Sequence, residues 1–177
     1  MTEAQKTKFM PAIVLTAICL VVALALAAVN LFTAPIVEEN TRKKEQESLR
    51  QVMPGSAGFT LLEGLTLPET VKSVYREDEG RGYVLLLSTS SQYTSSGEPM
   101  NITVGIGTDG TITGILLTSY SESKDFGKET YPATYVGKDE NLKGVELVAG
   151  VTYSSTAFRD AVKDAFRALS ENALLAK

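Results

Sequence analysis

An unbroken apolar run close to the N-terminus limits the folds open to this chain. Residues 12–32 read AIVLTAICLVVALALAAVNLF, with no charged residue and only Thr16 and Asn30 as clearly polar interruptions. A helix needs about 20 apolar residues to cross the roughly 30 Å hydrocarbon core of a bilayer. The run therefore predicts a single membrane-spanning helix, with the lipid bilayer as one partner of the chain.

Two other interpretations of this run remain open from the residues alone. A cleaved signal peptide is favoured by Lys6 and Lys8 before the run and by residues 25–27, Ala-Leu-Ala, which resemble a peptidase site. The apolar run continues past that site, however, and is longer than a usual signal core. A lipid anchor on Cys19 is disfavoured, since Ile18 stands where such sites carry a small residue. We expect an uncleaved span.

The charges beside the run do not fix its orientation. Lys6 and Lys8 lie on one side, while Arg42, Lys43 and Lys44 lie not far from the other. The positive-inside rule compares Lys and Arg on the two sides, and here both sides carry them.

Composition excludes several classes of function for the rest of the chain. Residues 33–177 carry 15 basic and 20 acidic residues, a net charge of −5, which argues against nucleic acid as a partner. The chain has no histidine, and Cys19 is its only cysteine. A Ser-His-Asp triad, an intrachain disulfide and a cysteine-ligated metal site are therefore excluded. We predict no catalytic residue and no metal site, and the composition favours a carrier of a bound cofactor.

The pattern after the run predicts a three-part chain: residues 1–34 as tail and transmembrane helix, 35–54 as a helical stalk, and 55–177 as one extracytoplasmic domain. The stalk pairs Glu38 with Arg42 and Glu39 with Lys43 at helical spacing, and Pro54-Gly55 ends it.

The domain itself is predicted to be α+β. Apolar and β-branched segments at 71–75, 82–87, 101–107 and 111–118 predict strands, and the Asp109-Gly110 pair between the last two is a strong hairpin signal. An apolar stripe at three- and four-residue spacing then predicts a C-terminal helix that packs on an antiparallel sheet. It comprises Phe158, Ala161, Val162, Ala165, Phe166 and Leu169.

Hydroxyl side chains crowd the start of that helix. Residues 146–155 read ELVAGVTYSS, which places Thr152, Ser154 and Ser155 just behind Gly150. A helix N-terminus presents unpaired N–H groups and partial positive charge, so it can seat a phosphate. The same residues also suit ordinary helix capping, and both interpretations stay open at this level.

The segment resembles the D-x-x-S/T-G-A-T-x-S/T motif of the FMN-binding domain in Rnf and Nqr respiratory complexes. Glu146 stands at the acidic position, Ala149 at the hydroxyl position before the glycine, Gly150 at the glycine and Val151 at the alanine. The resemblance implies that FMN is held covalently by a phosphoester to Thr152. It also implies cofactor contacts from the neighbouring residues, which are Gly150, Val151, Tyr153, Ser154 and Ser155.

A second part of the resemblance lies after the Asp-Gly hairpin. Residues 109–117, DGTITGILL, are similar to the family strand D-G-x-I-x-G-I-x-V. The following loop, residues 120–127, is similar to a family loop near E-T-P-G-x-G. Here Tyr120 replaces a histidine, and Lys124 and Asp125 replace Pro-Gly. The resemblance implies flavin contacts from this loop, by Glu122, Ser123, Phe126 and Gly127.

The order of these features resembles the G subunit family of Rnf complexes more than the related Nqr C subunits, whose ectodomains are longer. The resemblance implies a single-pass flavoprotein in the cytoplasmic membrane of a prokaryote, with its C-terminal domain extracytoplasmic. Its partners would be other membrane and peripheral subunits and a flavin transferase. Within such a complex, electron transfer between ferredoxin and NAD is coupled to Na⁺ or H⁺ translocation, so the chain would be one subunit of an enzyme.

Two alternatives come from other functional classes. The chain could be a solitary membrane-anchored FMN-binding sensor or electron donor. It could also be a degenerate, flavin-free scaffold subunit, since Ala149 and Val151 depart from the attachment motif and Val151 adds β-branched bulk beside Thr152.

Overall fold

The computed structural model describes residues 3–91, 99–120, 127 and 129–175, with the backbone alone for residues 3–10. The chain forms two compact units, residues 1–45 and 46–177. The elements in chain order are α1 (Glu3–Val52), β1 (Phe59–Leu62), β2 (Val71–Glu77), β3 (Gly82–Thr89), β4 (Met100–Gly107), β5 (Ile112–Ser119), α2 (Thr130–Ala133) and α3 (Thr152–Glu171). This is the predicted α+β arrangement, with an apolar N-terminal helix, an antiparallel sheet and a C-terminal helix.

Helix α1 provides the one segment in the described residues that is long and apolar enough to cross a membrane, Pro11–Val52. Its large apolar side chains, such as Leu24 and Phe32, are exposed, as lipid-facing side chains are. The helix continues through Pro35, although a proline removes one backbone hydrogen bond. It ends at Val52, ahead of the predicted stop at Pro54-Gly55. The predicted boundaries at residues 34 and 54 remain predictions.

The five strands form one antiparallel sheet in chain order, β1-β2-β3-β4-β5. The predicted hairpin joins β4 to β5. In its turn, Gly110 has φ +74°, and Asp109 accepts a hydrogen bond from the Thr111 amide at 3.0 Å. Strand β1 has no counterpart among the predicted strands, because it is only four residues long and has little alternation.

Both faces of the sheet are covered within residues 46–177. Along β3, Leu85 and Leu87 face the larger core, while Val84 and Leu86 face a smaller one. Helix α3 packs on the first face, through the apolar stripe identified in the sequence. The last turn of α1, with Leu49 and Val52, packs on the second face.

Two glycines allow the end of α1 to approach the sheet closely. Gly105 in β4 is paired with Gly114 in β5, and a Cβ atom on Gly114 would lie 2.5 Å from the carbonyl oxygen of Val52. The hydroxyl of Thr113 donates to that same oxygen at 2.9 Å. The close approach therefore supplies a partner for a carbonyl that the end of the helix leaves unpaired.

The C-terminal end of α3 is hydrogen-bonded to the loop between β1 and β2. Asn172 accepts from the Thr66 amide at 3.1 Å and donates to the Thr66 carbonyl at 2.8 Å. Thr70 donates to the Asp164 carboxylate at 2.6 Å. These bonds fix the axis of α3 on the sheet and so fix where its first turn lies.

Candidate cofactor site at the start of the C-terminal helix

A tight turn delivers the chain into α3. The Val151 amide donates to the Val148 carbonyl at 3.2 Å, and Gly150 within the turn has φ +83°. Non-glycine residues disfavour this conformation, which accounts for the glycine. No atom would lie within 4 Å of a Cβ at Gly150, so open space adjoins the turn. Val151 is half-buried against the larger core, which gives its β-branched side chain a packing role.

Thr152 is the first residue of α3, and its side chain is exposed. Tyr153 beside it is also exposed, at 56%. A hydroxyl in this position can be reached by a large reactant such as a flavin nucleotide and its transferase. Ser154, the next residue, is instead buried.

The hydroxyl of Ser155 is engaged inside the protein. It accepts a hydrogen bond from the Val148 amide at 3.3 Å and lies 3.0 Å from the Val151 carbonyl oxygen, to which it can donate. The side chain is fully buried. These bonds give Ser155 a part in closing the turn, while its contact with a phosphate stays a prediction.

A buried aromatic cluster packs against the first turn of α3. Tyr131 of α2, Tyr135 and Phe158 of α3 pack with ring centroids 5.1–5.6 Å apart. The hydroxyls of Tyr131 and Tyr135 are 2.8 Å apart, and that of Tyr131 donates to the Ser155 carbonyl at 3.4 Å. Burial raises the pKa of both tyrosines, so both hydroxyls stay protonated at neutral pH.

The sequence interpretation missed this cluster. Tyr131 lies in α2 and Tyr135 just after it, and both are buried. Their four-residue spacing was the available signal, because it places two side chains on one face of a helical segment.

The second predicted contact region is described only at Gly127. Its carbonyl accepts from the Tyr131 amide at 2.9 Å, and its φ of +85° is in the glycine-favoured region. Gly127 is thus tied to α2, and α2 is tied through Tyr131 to Ser155. The other predicted loop contacts, Glu122, Ser123 and Phe126, lie outside the described residues.

The electrostatics of the first turn of α3 suit an anion. No acidic residue lies in that turn, so the positive end of the helix has no carboxylate on it there. Seven residues further along, the Nε atom of Arg159 is buried and has no hydrogen-bond partner within the described part of the chain. The site thus combines the exposed Thr152 hydroxyl, open space beside Gly150, a helix N-terminus and the Arg159 cation. These features together fit the phosphate of FMN.

Two protein-family models match the chain. An FMN-binding domain matches residues 96–167, which include the β4–β5 hairpin, Gly127 and the start of α3. An RnfG N-terminal region matches residues 1–52 and ends where α1 ends. No curated protein matches the chain.

The two matches follow one another in the chain order expected of a membrane-anchored flavoprotein subunit, which confirms the resemblance and FMN as the cofactor. The covalent bond and the individual contact residues remain predictions. The chain belongs to the RnfG-type family, the FMN-binding subunits of Rnf electron transport complexes.

Proposed function

We propose that this subunit carries FMN covalently on Thr152 and passes electrons between other redox centres of an Rnf-type complex. The observation that carries the proposal is the exposed Thr152 hydroxyl at the first position of α3, in a turn without acidic residues. In the complex, transfer between ferredoxin and NAD is coupled to Na⁺ or H⁺ translocation.

The attachment step joins Thr152 Oγ1 to the phosphorus of FMN and releases the hydroxyl proton. Direct condensation with FMN would expel water, which is unfavourable in aqueous solution. The reaction therefore calls for a pyrophosphate-linked flavin dinucleotide, whose nucleoside monophosphate leaves as the new bond forms. We infer that a separate flavin transferase supplies this chemistry.

Each neighbour of Thr152 has a defined part in the proposal. Gly150 leaves the approach to the hydroxyl open, and Val151 anchors the turn to the core. Ser155 holds the turn closed. Tyr153 is exposed beside the attachment point, where its ring can cover the phosphate. Ser154 also contacts the phosphate in this proposal, because it lies in the first turn of α3, where the helix N-terminus favours an anion.

Bound FMN supplies one- and two-electron redox chemistry, which no side chain of this protein provides. The protein holds that group at a fixed point, since the covalent bond removes dissociation and the aromatic cluster supports the turn. Electron transfer to neighbouring subunits then depends on where the domain is held, and the N-terminal helix anchors it to the membrane.

Loss of the attachment hydroxyl tests the role in electron transfer. Thr152→Ala, expressed from the native locus, should abolish NAD reduction by reduced ferredoxin in membrane vesicles, together with the coupled ion movement. Thr152→Ser, which keeps a hydroxyl, is the matched variant and should retain part of both. The complex must still contain this subunit in each case. Full activity in an assembled Thr152→Ala complex would contradict the proposal.

The proposed topology places the domain outside the cytoplasm. Cys19 is the only cysteine, so Cys19→Ala combined with Ser170→Cys gives a single thiol at an exposed site of α3. A membrane-impermeant maleimide should label that thiol on intact cells. Labelling that requires cell lysis would place the domain in the cytoplasm.

The flavin-free scaffold is the alternative that a specific residue pattern favours. Ala149 and Val151 replace the hydroxyl residue and the alanine of the attachment motif, and either change could weaken recognition by the transferase. Restoring the motif with Ala149→Ser and Val151→Ala separates the two cases. A wild-type protein without flavin, loaded only after this restoration, would support the scaffold.

A further inference from the structure

Arg159 is a cation of α3 that the described residues leave unpaired. Its Nε atom is buried without a hydrogen-bond partner, and its guanidinium makes no ion pair within the described part of the chain. Arg81 and Arg167, by contrast, each contact two carboxylates. A buried donor without an acceptor costs free energy, so the buried Nε–H of Arg159 points to a partner beyond the described residues.

The spacing along α3 places Arg159 on the same side of the helix as Thr152. Seven residues correspond to two turns with a rotation of only about 20° and a rise of about 10 Å. Long side chains of a helix lean toward its N-terminus and cover the preceding turn. We therefore expect the guanidinium of Arg159 to reach back along α3 toward the turn that contains Ser155.

The surroundings of Tyr131 support this direction. The Tyr131 hydroxyl is 3.4 Å from the Ser155 carbonyl oxygen. The positive charge of Arg159 acts to lower the pKa of Tyr131 and Tyr135, against the larger effect of burial. These effects require the guanidinium to lie near the two hydroxyls, in agreement with the direction that helix geometry predicts.

We propose that Arg159 is the charge partner of the FMN phosphate esterified to Thr152, an inference that rests on the proposed function. A phosphodiester keeps one negative charge, and the planar guanidinium of arginine suits its oxygens geometrically. Arg159 is a positioning residue: it fixes the orientation of the diester and takes no part in electron transfer. Attachment of the flavin supplies the partner that Arg159 lacks among the described residues.

A double-mutant cycle on the full-length protein in detergent tests the pairing. Arg159→Met is measured in two backgrounds, loaded wild type and Thr152→Val, which has no hydroxyl to modify. Because the guanidinium is paired only after loading, Arg159→Met should lower the thermal midpoint by several degrees in the loaded protein. In the Thr152→Val background it should leave the midpoint unchanged or raise it.

Lys163→Met is the matched control, since Lys163 is an exposed cation one turn further along α3. Its shift should be the same in both backgrounds. Equal shifts for Arg159→Met in the two backgrounds would overturn the proposal, because they would assign Arg159 a purely structural role.

Phosphorus-31 NMR gives a second readout that does not depend on unfolding. The loaded protein carries one phosphodiester, whose resonance should move in Arg159→Gln, move less in Arg159→Lys and stay in place in Lys163→Gln. A resonance unchanged in Arg159→Gln would overturn the pairing.

Intact mass separates failure of this inference from failure of the proposed function. If wild type lacks flavin on Thr152, the proposed function fails and the inference fails with it. If wild type is loaded but neither readout responds to Arg159, the inference alone fails.

Discussion

The backbone amide of Val148 donates to the side-chain hydroxyl of Ser155 at 3.3 Å, which ties the loop before α3 to the helix itself. The hydroxyl also lies 3.0 Å from the Val151 carbonyl oxygen. One buried side chain thus closes the turn that carries Gly150 and presents Thr152.

Ser155→Ala should lower the free energy of unfolding by about 1–3 kcal/mol, because it leaves the Val148 amide without this partner. Flavin loading should slow without being abolished, since the Thr152 hydroxyl is intact. Urea unfolding and the time course of loading by intact mass measure the two effects. Ser170→Ala, at an exposed site near the end of α3, should change neither. Unchanged stability in Ser155→Ala would show that the hydroxyl does not hold the turn.

Gly150→Ala should cost about 1–2 kcal/mol in stability, because alanine must adopt a φ near +83°. No neighbouring atom would contact the new methyl group, so the cost is conformational. We also expect slower loading, since the turn sets the position of Thr152. Gly80→Ala is the matched control, with φ +77° and open space in the turn between β2 and β3. The stability of Gly80→Ala should fall similarly, while its flavin loading stays normal. Equal loading rates for the two variants would show that the turn at Gly150 does not position Thr152 for loading.

Gly114→Ala should destabilise residues 46–177 by about 1–3 kcal/mol, because the methyl group would press on backbone atoms of Val52. The end of α1 must then move away from the sheet, and the segment after it should be cut faster in limited proteolysis. Thr113→Val removes only the hydrogen bond to Val52 and should have the smaller effect. Equal proteolysis rates for wild type and Gly114→Ala would contradict this close packing.

Glu77 should make the domain sensitive to acid. Its buried carboxylate accepts hydrogen bonds from the Arg81 amide at 3.0 Å and the Arg81 guanidinium at 3.1 Å. The amide hydrogen bond is the main reason that the pKa of Glu77 lies below its ordinary value of 4.5. A lowered pKa in the folded state means that the stabilisation is present above pH 4.5 and is lost as the pH falls through the folded-state pKa.

Glu77→Gln should therefore lower stability at pH 7 and flatten its decrease between pH 5 and more acidic values. Urea unfolding midpoints across this range measure the slope. Part of the slope should remain, because hydrogen bonds from Thr111 also lower the pKa of Asp109. An unaltered slope in Glu77→Gln would show that Glu77 does not couple folding to pH.

The sequence was sufficient to predict those elements whose residues follow a clear period. The stripe of α3 and the strands around Asp109-Gly110 were predicted this way, and the apolar run predicted the long helix. Strand β1 and helix α2 were missed because four residues cannot establish a period. The close contact of Val52 with the sheet was also missed, since Gly105 and Gly114 become neighbours only when two strands pair.

The candidate site also contains features that the sequence predicts and features that it does not. A motif placed Thr152 at the start of a helix, and the structure places it there with an exposed side chain. The engagement of Ser155 with Val148 joins residues seven apart through a turn whose shape the sequence does not encode in any simple pattern. The burial of the Arg159 Nε atom depends on how α3 packs in the folded domain. Tertiary packing therefore decides which polar groups remain unpaired.

Intact-mass measurement of the protein from its native host, with mapping of the peptide that contains Thr152, tests the central claim most directly. We predict an added mass equal to FMN less one water on that peptide, and its loss in Thr152→Ala without loss of folding. An unmodified Thr152 peptide from cells that express the flavin transferase would contradict covalent attachment at this residue.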